Sequence, residues 1–388
     1  MLNILSSNEL NKIIELRKTI HSNPELAHQE FNTAGTIMKF LENKSDEIIS
    51  GIGGTGIAFI YKGKEEGKTI LLRADLDALP IKESNVFPHK SSKDNVSHKC
   101  GHDGHMAILA GLGSVLSKNR IEKGKVVLLF QPAEEIGEGA EKVLNDKKFK
   151  NIKPDFVYAI HNLPGYEMKS VITRYETFAS ASKGMIIKLF GKTSHAAEPE
   201  NGNSPATAMT RIINELNNLV ISLKGKLKDK LKDFSLITVI HARLGEKAFG
   251  TTPGYAEVMA TLRSYRNDDM NTIVETSESL IKKIAEEEKL QINISYTEEF
   301  PATVNNKECI ELLKETLKEN KFLEVEKDLP FKWSEDFGHF TSKYKGALFG
   351  IGAGVKTPQL HNPDYDFPDE IIETGITIYY SLIKKILG

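Results

Sequence analysis

Cysteine is scarce in this chain. Its 388 residues hold two, Cys100 and Cys309, with Cys309 far along the chain in a helical pattern. That count excludes a disulfide framework and suits a reducing compartment. Charge of either sign is also missing in excess: 51 Lys and Arg against 53 Asp and Glu leave a net −2. No global field therefore argues for nucleic acid or an anionic membrane as a partner. Long hydrophobic runs are absent, and no window approaches the apolar length that spans a bilayer. The opening Met1-Leu2-Asn3-Ile4-Leu5-Ser6-Ser7 lacks the basic segment and apolar stretch of a secretory signal. Repeats and low-complexity segments are missing too. These absences point to a cytoplasmic globular protein, and 388 residues exceed what one core usually supports, so two domains are expected.

What stands out against that background is Cys100-Gly-His-Asp-Gly-His105. A thiol, two imidazoles and a carboxyl sit within about one turn, and each can bind a transition metal. Its glycines let the backbone fold tightly, so Cys100 and His102 can point at one centre. His98, just before the cluster, is a further candidate.

Three apolar runs each end in residues of the same kind. Thr69-Ile-Leu-Leu-Arg73 reads as a buried strand and delivers Asp75 and Asp77; Lys125-Val-Val-Leu-Leu-Phe130 runs into Gln131-Pro-Ala-Glu-Glu135; Phe156-Val-Tyr-Ala-Ile160 runs into His161-Asn-Leu-Pro164. Ends of parallel strands in one α/β sheet lie together and are where such sheets place ligands. Glu134 and Glu135, if extended, point to opposite sides, so one can bind metal while its neighbour handles protons. His161 and His361 taken singly also read as ordinary hydrogen-bonded histidines.

Helices are expected over 7–22, with Ser7 as cap, and over 30–43, with Ile37, Met38, Phe40 and Leu41 on one buried face. After about residue 178 the pattern becomes strand, helix, two strands, helix, strand, the order of a ferredoxin-like unit inserted in the first domain. Within it, the charged stretch 224–233 reads as a solvated helix end or loop. The expected division is 1–180 with 297–388, and 181–296.

Taken together, His21-Ser-Asn-Pro-Glu-Leu26, Arg73-Ala-Asp-Leu-Asp-Ala-Leu-Pro80, the Cys100 cluster, Gln131 to Glu135, Gly191 to Ala196, Ser334-Glu-Asp-Phe337 and Leu360-His361 resemble the bacterial N-acyl-amino-acid amidohydrolases. That group, with aminoacylases, hippurate hydrolases and auxin-conjugate hydrolases, is a branch of the dinuclear metallopeptidase clan. The resemblance covers nearly the whole chain. It implies an α/β catalytic domain with a central mixed sheet flanked by helices, plus the inserted domain as a lid that also dimerises.

By the same resemblance, two divalent ions are held by Cys100, His102, Glu135, His161 and His361, with the thiolate where the wider clan has a bridging aspartate. A thiolate among imidazoles favours zinc, with manganese, cobalt or nickel as other occupants. Asp77 matches a carboxylate that orients a ligand, and Asp75 is read as structural. His98, Asp103 and His105 take supporting roles. Glu134 matches the general base and His195 the group that steadies the oxyanion. Arg263 matches an arginine that holds the substrate carboxylate, a surface arginine at a strand end being its other reading. The implied substrate is a small N-acyl amino acid, split by hydrolysis of its amide. A dipeptidase or carboxypeptidase of the same clan is the alternative, and a non-catalytic binding module would have lost one of these residues. One stretch departs from the pattern: Gly250-Thr-Thr-Pro-Gly254 stands where many relatives carry Asn-x-Ile-Pro-Asp.

Overall fold

The computed structural model describes residues 4–225 and 230–388. By internal contact the chain forms two compact units: Met1–Phe178 with Thr303–Pro330 and Glu335–Gly388, and Ala179–Ala302 with Phe331–Ser334. The second unit thus takes in the whole strand Gln291–Phe300 and a short stretch, Phe331–Ser334, that comes from further along the chain.

The first unit is built on an eight-stranded sheet. Its order is Glu47–Ile52, Gly56–Lys62, Lys123–Gln131, Glu65–Asp75, Phe156–Leu163, Lys345–Gly352, Val171–Thr173, Glu324–Glu326. The four strands from Lys123–Gln131 to Lys345–Gly352 run parallel, while those at the Glu47–Ile52 edge pair antiparallel, so the sheet is mixed. Every residue of Phe156–Leu163 is buried, as expected where helices cover both faces of a parallel sheet. The helices Ser7–Ser22, His102–Lys118, Lys307–Glu319 and Ile372–Leu387 contribute Ile13, Leu109, Ile310 and Ile376 to this core.

His102–Lys118 is buried nearly all round. Its two glycine-containing turns and alanines let neighbours approach, and a Cβ on Gly104 would lie 2.2 Å from the Phe367 ring. Its polar first turn, His102 to His105, therefore has to be satisfied by its neighbours: residues at the strand ends for His102 and His105, and Arg17 and His21 of the first helix for Asp103.

Two local expectations are corrected. Ser6, not Ser7, caps the first helix: its hydroxyl accepts the Glu9 N–H, and Glu9 returns a carboxylate to the Ser6 N–H at 2.8 Å. The second helix is only Phe31–Phe40, and its buried side is Thr33, Ala34 and Ile37; Met38 is exposed and Phe40 half-buried. A helix that short presents a single narrow stripe to the core.

The second unit has a four-stranded antiparallel sheet in the order Ser235–Leu244, Tyr255–Ser264, Ala181–Phe190, Gln291–Phe300. The helices Ala206–Gly225 and Asn267–Glu287 complete the ferredoxin-like order. Strict alternation of buried and half-buried residues along Tyr255–Ser264 puts Val258, Ala260 and Leu262 in the core with Ile212 and Ile281. Part of the charged stretch 224–233, residues 226–229, lies outside the described residues. Among the described residues, no helix is long and apolar enough to cross a membrane.

Candidate metal centre

Asp75 and Gln131 are register partners at the ends of their parallel strands, and His161 lies near the end of the strand that pairs with Asp75's on its other side. The cysteine turn arrives at this edge. Gly101 caps the helix His102–Lys118 with φ 91°, a left-handed conformation, and a Cβ there would sit 2.6 Å from Asn162 Oδ1. Glycine is what allows Cys100 and His102 to flank so sharp a turn. Cys100 Sγ then stands 3.6 Å from His161 Nε2.

Two of the imidazoles are oriented through their other nitrogen. His102 Nδ1 donates to the Asp77 carbonyl at 2.9 Å, with Asp77 Oδ1 at 3.5 Å. Its Nε2 is buried without a hydrogen-bond partner. His161 Nδ1 donates to the Asn162 carbonyl at 2.9 Å, which turns Nε2 toward the sulfur. His361, half-exposed and at φ 65°, donates its backbone N–H to the Lys99 carbonyl at 2.8 Å. Its Nε2 lies 3.8 Å from Glu135 Oε2. Glu135 donates its own N–H to Asp77 Oδ2 at 2.9 Å, so Asp77 steadies two of these side chains at once.

Several groups of donor atoms lie within 4.8 Å of one another, among them Cys100 with His102 and His161, Cys100 with Glu135 and His361, and His102 with Glu134 and Glu135. The first two are the candidate donor sets for two ions. The sulfur belongs to both. Their electrostatics fit cations. Burial, reinforced by Glu135, pushes the Cys100 thiol up. Burial also pushes both glutamic acids up, Glu134 further through Glu335, Glu135 and Asp336. Negative charge crowded into a dry site is costly alone and favourable beside a metal. His102 Nε2 and Glu135 Oε1, buried with no hydrogen-bond partner, are acceptors that such ions would satisfy. The residues present fit two divalent ions.

Glu134 and Glu135 are not on an extended segment. The strand stops at Gln131, and Ala133, at φ 52°, bends the chain with its N–H on Glu30 Oε1 at 2.9 Å. The two carboxylates consequently converge: Glu134 Oε2 and Glu135 Oε1 lie 3.8 and 3.7 Å from His102 Nε2.

Around these residues lies a layer that sequence reasoning only partly named. Asp75 spends its oxygens on Arg73 at 2.5 Å and His105 Nδ1 at 2.7 Å; His105 Nε2 bonds Asn162 Oδ1 at 2.5 Å, and Asn162 bonds the buried Tyr365 hydroxyl. Asp103 accepts from Arg17 at 3.1 Å and His21 at 2.8 Å. His98 has no hydrogen-bond partner at either nitrogen, and burial drives its pKa down to about 3. Arg17 and Lys99 carried no sequence signal beyond being polar residues in apolar surroundings, while Arg73 and Asn162 stood inside the strand-end motifs with no role attached to them.

His195 and Arg263 belong to the second unit. His195 is exposed in a two-stranded ribbon, paired with Thr251 while Ser194 pairs with Thr252. Its Nδ1 accepts the Ala197 N–H at 3.1 Å. The divergent Thr251-Thr252 stretch is therefore the strand opposite His195. Arg263 donates to the Lys332 carbonyl and Ser334 Oγ, both at 3.1 Å.

Residues 71–385 match peptidase family M20/M25/M40. The chain is similar to the hippurate hydrolase of Campylobacter jejuni, 31% identical over 378 residues and 96% of each chain. It is also similar to the N-acetyl-L-cysteine deacetylase of Bacillus subtilis, 29% identical over 377 residues, covering 97% of this chain and 88% of that one. Among solved structures, a dinuclear metal binding peptidase of the M20 family from B. subtilis shares the fold with a TM-score of 0.81, at 24% identity over 97% of this chain and 98% of that one.

Proposed function

Because the chain belongs to peptidase family M20/M25/M40, we propose that it hydrolyses the amide of small N-acyl amino acids, releasing a carboxylate and a free amino acid. That it is a metal-dependent hydrolase follows from the membership; the bond and the residue roles are the proposal. The observation that carries it is the sulfur of Cys100 shared by two donor sets, with Glu134 beside them.

Divalent ions held by Cys100, His102, Glu135, His161 and His361 would supply Lewis acidity, polarising the scissile carbonyl and lowering the pKa of the attacking water. A thiolate among imidazoles favours zinc in those places. Asp77 keeps His102 in the tautomer with a lone pair on Nε2. Glu134 takes a proton from the water as the water oxygen bonds to the carbonyl carbon and the carbonyl π pair moves onto the carbonyl oxygen. It returns that proton to the amide nitrogen as the carbon–nitrogen bond breaks. In the second unit, the Ala197 N–H on Nδ1 selects the His195 tautomer that carries its proton on Nε2, a donor suited to an oxyanion. The Arg263 guanidinium is assigned to the substrate carboxylate. Association of two copies through the second unit belongs to the same reading.

Similarity to a hippurate hydrolase and an N-acetyl-L-cysteine deacetylase supports N-acyl amino acids over peptides. The test is turnover by metal-reconstituted protein of N-benzoyl and N-acetyl amino acids against dipeptides, with Glu134→Ala alongside. Faster turnover of dipeptides would reassign the substrate. Equal rates for the variant and the parent would remove Glu134 from the chemistry.

A further inference from the structure

Arg73 is almost wholly buried and bonded at every nitrogen. Its Nε donates to Gln131 Oε1 at 2.9 Å and one terminal nitrogen to Asp75 Oδ2 at 2.5 Å. The other reaches Asp336 Oδ1 at 2.6 Å and Glu335 Oε1 at 2.8 Å. Asp336 is held from further sides. Gln131 Nε2 donates to its two oxygens at 3.0 and 2.8 Å, and the Ala140 N–H donates to Oδ2 at 2.8 Å. Donors thus come from a strand, from the end of its neighbour and from the first turn of the helix Gly139–Asn145.

A carboxylate gripped by charge-assisted bonds from three segments cannot rotate. What this fixed residue presents on its other side is its backbone N–H, 3.3 Å from Glu134 Oε1. Glu134 Oε2 is the oxygen near His102. One carboxylate oxygen is tethered and the other faces the donor sets.

We propose that Asp336 is a positioning residue for Glu134: its clamped side chain fixes the turn whose main-chain N–H holds one oxygen of the general base, aiming the other at the reacting water. This rests on Glu134 being the base. Burying a carboxylate among hydrogen-bond donors gives no more stability than an apolar filling of equal volume often does, whereas a directional N–H on a base has a use in the reaction.

The test is Asp336→Asn, which keeps the shape but sets an amide against donors, in the reconstituted enzyme. Its kcat should fall roughly tenfold to a hundredfold, the range seen when groups orienting a site residue are lost. KM and bound metal per chain should stay at parent values. Adding Gln131→Glu restores a matched donor and acceptor between the two side chains and should recover most of the lost kcat. A folded, fully metallated Asp336→Asn enzyme with parental kcat overturns the proposal, as does a loss that follows metal content or appears only in KM. Should that variant not fold, Arg73→Lys, which keeps charge but removes the fork, is read by the same split. Glu134→Gln assayed in parallel separates the two readings. Parental kcat there removes the base itself, and loss there beside parental kcat in Asp336→Asn removes only the positioning role.

Discussion

Cys100 Sγ and a ring nitrogen of His361 meet in one donor set although the two residues lie far apart in the chain, and the same sulfur is 3.6 Å from His161 in another. A monodentate neutral group at position 100 cannot serve both sets, while an anion with lone pairs on two sides can. Cys100→Asp should therefore retain two ions per chain and measurable turnover, whereas Cys100→Ala should retain one at most and lose activity. Elemental analysis of the dialysed proteins decides this. Two ions bound by the alanine variant would refute the bridging role.

Glu134 is close to the donor sets yet lies outside both sulfur-sharing triads. Glu134→Gln should accordingly lower kcat by about 10²- to 10⁴-fold, the usual contribution of a positioned acid–base group, with metal content unchanged. Loss of an ion in this variant would mean that Glu134 is a ligand instead.

Much of this site was legible because chemistry sits at the ends of apolar runs. The runs ending before Asp75, Glu134 and His161 are central strands, and burial on both faces forces a nearly uninterrupted apolar sequence. The candidate ligand positions stood out as groups that have no reason to follow such runs. The layer beneath did not stand out. Arg17 reads as one more polar residue of an amphipathic helix, yet it is buried against Asp103 and against Asp366, 349 residues away. Nothing local distinguishes a buried arginine from an exposed one when its partners are that remote. The turn at Ala133 was missed for a similar reason: its left-handed φ is enforced by Glu30, a distant contact.

Gly101 tests the turn itself. Gly101→Ala places a Cβ 2.6 Å from Asn162 Oδ1 at a φ of 91°. Left-handed strain costs about 1–3 kcal/mol before any clash is counted. The variant should unfold at lower temperature and bind metal more weakly, since Cys100 and His102 flank the altered residue. Calorimetry with and without excess metal measures both effects, and an unchanged midpoint in metal-free protein would show that the turn relaxes freely.

His21 gives the stability of the metal-free protein a pH dependence whose sign is fixed by its surroundings. Burial disfavours its charged form, but Asp103 at 2.8 Å and Glu83 at 3.0 Å outweigh that, and its pKa rises to about 9. The same bond from His21, with one from Lys99, acts against burial to bring Glu83 down to about 2. An unfolded histidine titrates near 6.5. A base whose folded pKa is raised stabilises fully below its unfolded pKa and loses that contribution as pH climbs through the folded one. The window is therefore about pH 6.5 to 9, and the loss across it is roughly 3 kcal/mol. Urea denaturation of chelator-treated protein, followed by circular dichroism at a series of pH values, should show stability falling through that window. His21→Phe should be weaker at pH 6 and fall less steeply above it, the remaining slope coming from buried acids such as Glu135, which burial raises to about 8. Metal must be absent, because deprotonation of the ligands strengthens metal binding as pH rises and acts in the opposite direction. A variant that keeps the parent's slope would assign the pH dependence to another group.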